Sequence, residues 1–95
     1  MFLIVLTTVK NRAEAKKISA LVSEKRAACV NMLPSVSSVY RWRGKVERSS
    51  EVMLIIKTSS KNLDKLMARI KELHSYEVPE ILALKVDRSL PQYLR

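Results

Sequence analysis

The residues best able to do chemistry in this chain crowd into HSYEVPEI, residues 74–81, where the single histidine, His74, is followed by Tyr76, Glu77 and Glu80. An imidazole with carboxylates close behind it suits a borderline divalent cation, Glu51 being a further carboxylate candidate, and the lone thiol of Cys29 would turn such a site toward copper. Plainer readings stand beside these. His74 can serve as the last residue of a helix, its charge favoured by the helix dipole, and Cys29 can pack as a small hydrophobe. Lys57 is either a lysine stretched along a sheet edge with its ammonium in water, or a cation paired with a carboxylate such as Glu51 or Glu77.

Catalysis finds no frame. There is no Ser-His-Asp or Cys-His spacing and no HExxH helix, and one glycine, Gly44, cannot make a glycine-rich phosphate loop. The stretch TTVKNR, residues 7–12, offers Arg12 and Asn11 but lacks the glycine an acylphosphatase-like anion loop would need. Lys and Arg number 18 against 9 Asp and Glu, a formal charge of +9 that favours encounter with polyanions. The basic residues are nevertheless spread along the chain, with Arg41, Arg43 and Lys45 the only undiluted group, and the aromatic pattern of RNA-reading sheets is missing. Nucleic acid is therefore not an expected partner. One cysteine makes no internal disulfide, no secretory leader is read, and no apolar run reaches the roughly 18 residues of a membrane span. The expected location is the cytoplasm, with no membrane partner.

The order of elements along the chain decides how these groups are positioned. Residues 2–9, FLIVLTTV, read as a strand covered on both faces. Asn11 and Glu14 form a capping box at the start of a helix whose apolar face is Ala15, Ile18, Leu21 and Val22. Ser60 is the expected cap of a second helix lined by Leu63, Leu66, Met67, Ile70 and Leu73. Between them run two long β segments, 28–42 and 45–58, joined at Arg43-Gly44, where glycine supplies positive φ. Pro79 stops the second helix, and residues 80–86 make a last strand with Leu82, Leu84 and Val86 on one face.

Strand, helix, strand, strand, helix, strand is the order of an α+β, ferredoxin-like βαββαβ sandwich, expected here as one domain over residues 1–95. Its central hairpin is oversized. At about 3.3 Å per residue each arm runs over roughly 40 Å, far beyond the ~13 Å radius of gyration of such a domain. Pro34 marks a bend or bulge in the first arm, and simple alternation puts Val30, Met32, Val36, Tyr40 and Trp42 on one face. An apolar arm of this length left uncovered invites pairing with another chain, so a closed homo-oligomer is expected.

Four motifs in order resemble the CutA-type divalent-cation-tolerance proteins: AACVN from Ala27, the run Ser38, Tyr40, Trp42 and Gly44, the run Glu51, Leu54, Lys57 and Thr58, and HSYEVPEI at 74–81. The resemblance implies a homotrimer similar in plan to the PII signalling proteins, acting by binding or signalling in response to metal ions rather than as an enzyme. It also implies clefts between subunits, for which Tyr40, Trp42, Glu51, Lys57, Tyr76 and Glu77 are the candidate walls. Copper or another divalent cation is the implied ligand, with His74 and Cys29 its candidate donors. The chain departs from the family at Thr7, where some members carry a copper-binding cysteine, and at Leu73, where a second histidine can stand. The alternatives are a scaffolding trimer without a small-molecule ligand and a weak polyanion binder.

Overall fold

The computed structural model describes residues 1–93. Strand β1 is Phe2–Val9, helix α1 Arg12–Ser23, β2 Cys29–Trp42, β3 Lys45–Ser59, α2 Leu63–Leu73 and β4 Leu82–Lys85, with a short 3-10 turn at Ser60–Asn62 before α2. The four strands form one antiparallel sheet in the order β2-β3-β1-β4. That order, with each helix a crossover between strands, is the ferredoxin-like arrangement expected from the sequence.

The core lies between the helices and one face of the sheet. Val5, Val9, Leu54 and Ile56 from the strands meet Ala15, Ile18 and Leu21 of α1 and Leu66 and Ile70 of α2. Each large aliphatic side chain buried here contributes about 1.5–3 kcal/mol relative to exposure, which is why short helices persist on this sheet. The stripes are narrower than the sequence pattern suggests, since Val22 and Met67 at their margins remain exposed.

Both helix starts differ from expectation in an informative way. Asn11 Oδ1 accepts from the Glu14 N–H at 2.9 Å, so half of the capping box is present. The Glu14 carboxylate, however, turns away and accepts from both the N–H and the hydroxyl of Ser75. Ser60 opens the 3-10 turn instead of capping α2, whose N-cap is Asn62 without a side-chain cap bond.

The hairpin arms are 14 and 15 residues long, and the molecule stretches to 44 Å in its longest dimension. Arg43 (φ 52°) and Gly44 (φ 77°) both occupy the left-handed region at the tip, as a tight two-residue loop with the strands' own twist demands. Trp42 pairs with Lys45, and the ladder runs to Val36 opposite Glu51; then the register shifts, and Leu33 faces Met53 and Cys29 faces Lys57. Pro34 and Ser35 form the bulge, together opposing a single residue of β3.

This bulge overturns the simple alternation. An extra residue reverses which face each side chain takes, so Val30 and Met32 share the helix side with Ile56 and Leu54, whereas Val36, Tyr40 and Trp42 lie on the opposite, open face. An unbroken register from Trp42↔Lys45 would put Val30 opposite Lys57; with the bulge the partner of Lys57 is Cys29.

Candidate functional site

The open face of the sheet carries the site. On β3, Glu51, Met53, Ile55 and Lys57 alternate onto this face; Thr8 of β1 lies opposite Met53, and Tyr40 and Trp42 extend it toward the hairpin tip. The loop between α2 and β4 then crosses the face, and a cleft of about 750 Å³ opens between that loop and the hairpin. Its walls include Tyr40, Trp42, Glu51, Tyr76, Glu77 and Glu80, floored by Thr8 and Met53.

What holds the loop across the sheet is a chain of buried polar contacts. Ser75 donates its N–H (2.6 Å) and hydroxyl (2.8 Å) to Glu14 at the start of α1. His74 caps α2, its own N–H reaching the Ile70 carbonyl at 2.8 Å. The His74 ring is wholly buried, with Nε2 2.7 Å from the Thr8 carbonyl and Nδ1 3.1 Å from the Tyr76 N–H. With Nδ1 accepting from the Tyr76 N–H, Nε2–H is the donor to the Thr8 carbonyl, and Glu14 Oε1 lies 3.4 Å from Nδ1. The ring thereby sets the angle at which Tyr76 leaves the helix, and the two rings pack with centroids 4.7 Å apart.

Tyr76 then spans the cleft and donates its hydroxyl to Glu51 Oε2 at 2.8 Å. Burial, followed by the hydrogen bond to the Glu51 carboxylate and that carboxylate's negative charge, pushes the Tyr76 phenol far above the usual tyrosine range. It is a fixed donor at any ordinary pH. Glu51 is only 8% exposed.

Lys57 and Cys29 belong elsewhere on the same face. Six residues of β3 separate Lys57 from Glu51, roughly 20 Å at ~3.3 Å per residue, so neither Glu51 nor Glu77 is its partner. Lys57 Nζ instead donates to the Tyr93 hydroxyl at 3.0 Å and lies 5.4 Å from that ring's centroid. The hydrogen bond raises the lysine pKa above its ordinary value. No periodicity in the sequence marks Tyr93, which lies in an irregular tail after β4. Cys29 is half-buried beside Lys57, its thiol 3.7 Å from Asn31 Oδ1.

The two candidate metal donors are thus not neighbours, since Cys29 sits at the Lys57 end of the face and His74 beneath the cleft. Both His74 nitrogens are engaged, and among the described residues no group of three or more His, Cys, Asp or Glu side chains is arranged to hold a metal ion. Within a single chain, His74 and Cys29 do not come together as a metal centre among the described residues. At Thr7, the strand position that departs from the family, the hydroxyl is fully buried without a hydrogen-bond partner.

The chain is thus an α+β ferredoxin-like domain with an overlong hairpin and a cleft under its α2–β4 loop. Residues 3–95 match the model of the CutA1 divalent ion tolerance protein family, and the chain belongs to that family. It is 46% identical to Protein CutA of Mus musculus over 92% of its length, and 45% identical to the divalent-cation tolerance protein CutA of Thermus thermophilus over 96%. The chain spans about half the length of the mouse protein (50%) and 89% of the Thermus one. Among solved structures, the divalent cation tolerance protein of Thermus thermophilus superposes with a TM-score of 0.97 at 43% identity, covering 99% of this chain and 92% of that one. A protein described as the periplasmic divalent cation tolerance protein CutA of Archaeoglobus fulgidus superposes at 0.95 with 34% identity, covering 99% and 92%.

Proposed function

We propose that the protein is a homotrimer that takes part in the response to divalent metal ions by binding or signalling, without catalysing a reaction. The observation that carries this reading is the uncovered apolar surface of the hairpin and open face. Val39, Trp42 and Val46 on the hairpin and Leu82 and Leu84 on β4 are each more than half exposed, and β2 is a 14-residue edge strand. A lone chain with such an edge would aggregate, whereas a closed ring covers every copy alike. Two edges are available for head-to-tail contact, β2 on one side of the sheet and β4 on the other.

Copper or another divalent cation is the regulatory ligand, met by residues from more than one protomer, since one protomer's donors are separated. Cys29 is the accessible soft donor for such a shared site; His74 would have to surrender the Thr8 or the Tyr76 contact to join it. The protein acts in the cytoplasm, where a half-buried free thiol stays reduced. Fractionation of the source cells tests that placement against a periplasmic one. Native mass spectrometry with and without Cu²⁺ tests assembly and metal together: trimers taking up copper in a fixed ratio support the reading, and monomers or copper-indifferent trimers oppose it. The scaffolding alternative expects no thermal shift with Cu²⁺ or any small ligand.

A further inference from the structure

We infer that the acidic cleft is the seat of a neighbouring copy's hairpin tip, so that Glu77 and Glu80 of one chain receive Arg43 and Lys45 of the next. This deepens the trimer reading proposed above and rests on it: it names the two surfaces that meet and the charges that select them.

A closed ring of three is built head to tail, so each chain must present two different surfaces that complement one another. The first is the cleft. In a chain where Lys and Arg number 18 against 9 Asp and Glu, it is lined by Glu51, Glu77 and Glu80 and by no lysine, arginine or histidine among the described residues. Glu77 and Glu80 are exposed, and among those same residues neither enters an ion pair. A face of this sign, closed over by a copy of so basic a chain, is met by cations.

The second surface is the hairpin tip. Arg41, Arg43 and Lys45 are the one group of cations undiluted by acid, and all three are exposed without an ion pair among the described residues. Two of them flank Trp42 on the open face: the Arg43 guanidinium lies 5.5 Å from its ring centroid, and Lys45 is its partner across the ladder. The tip is also what can reach. With arms of 14 and 15 residues in a molecule of 44 × 25 × 23 Å, it stands clear of its own core. Trp42 and Val46, each more than half exposed, bring apolar area with the charges, and the cleft offers Val36, Tyr40 and Met53 in return. Basic tip on acidic cleft also fixes the order of contact, because tip on tip or cleft on cleft would set like charges together.

Exchanging the charges in the full-length chain tests this. Glu77→Lys with Glu80→Lys reverses the cleft, and Arg43→Asp with Lys45→Glu reverses the tip, Asp being the acid that tolerates the positive φ (52°) of residue 43. Glu51 stays, because it holds Tyr76. Native mass spectrometry and sedimentation over a dilution series, at constant low ionic strength, give the concentration at which half the chains are trimeric. Each reversal is expected to raise it at least about tenfold, and the chain carrying all four substitutions to return to within about threefold of the wild type. The tip reversal is the sharper arm. It lowers the formal charge of +9, so unspecific repulsion alone would strengthen assembly, and the fourfold exchange restores that charge. Should a reversal fail to fold by circular dichroism, Glu77→Gln with Glu80→Gln, which keeps side-chain size, is expected to raise the same concentration at least about threefold. A trimeric wild type indifferent to these changes, or reversals that the combined chain does not rescue, overturns this inference alone and gives the cleft another occupant. A monomeric wild type overturns the trimer reading and this inference with it.

Discussion

Glu14, near the start of the first helix, holds Ser75, just past the end of the second, through both carboxylate oxygens, at 2.6 Å to the N–H and 2.8 Å to the hydroxyl. The two residues stand 61 apart in the chain, and this clasp is what keeps the cleft wall in place. Hydrogen bonds to a charged acceptor are worth about 1.5–3 kcal/mol each, and a buried N–H left without a partner adds its own cost. Glu14→Ala is therefore expected to lower unfolding stability by about 3 kcal/mol or more in chemical denaturation. Ser75→Ala, which loses only the hydroxyl, should cost about half as much.

Tyr76 links stability to alkaline pH. Its pKa in the folded protein is raised by burial and by Glu51, while in the unfolded chain it is near 10. Above pH ~10 the unfolded state releases a proton that the folded state keeps, so the stabilisation present below that pH is lost as pH rises toward the folded value. Lys57, its pKa raised by the Tyr93 hydroxyl, acts in the same direction. Subtracting the stability profile of Tyr76→Phe from that of the wild type, by urea denaturation between about pH 8 and 11, isolates the tyrosine. The difference is expected to be flat to about pH 10 and to fall beyond it.

The bulge at Pro34 and Ser35 makes a sharp test of register. Deleting Ser35 removes the extra residue and turns Val30 and Met32 away from the helix side, where Val30 packs on the core. The expected loss is more than about 3 kcal/mol, combining an apolar cavity with misplaced polar groups. Gly44→Ala, at φ 77° with nothing within 4 Å of the added carbon, should cost only about 1 kcal/mol from backbone strain.

His74 separates positioning from metal binding. With both ring nitrogens engaged, His74→Ala is expected to lower thermal stability and to disturb Tyr76 while leaving copper stoichiometry by calorimetry unchanged. Loss of copper uptake in a folded His74→Ala protein would instead make the imidazole a ligand.

Much of this architecture is legible in the sequence. The apolar run at 2–9, the i, i+3, i+4 spacing of both helices and the lone glycine at the tip each specify an element through periodicity or backbone chemistry, and the order of elements leaves one compact arrangement. Pro34 signals the bulge, but not that one extra residue reverses the face of everything before it. That consequence depends on three-dimensional pairing, and it is why Lys57 lies beside Cys29 rather than Val30. The site was half legible for the same reason. Tyr40, Trp42, Glu51, Tyr76 and Glu77 share one cleft, while Lys57 lies on the same strand face but several residues further along it. Nothing local reveals that Glu14 would abandon its own helix cap for Ser75, because the competing donors are supplied by a residue distant in sequence.

The central claim is that the hairpin and open face are covered by two further copies of the chain. Native mass spectrometry at low micromolar concentration tests it most directly. A dominant species at three times the 10.9 kDa chain mass, persisting on dilution, is the expected result. A stable monomer at 10.9 kDa, with the exposed hairpin tolerated in water, would contradict it.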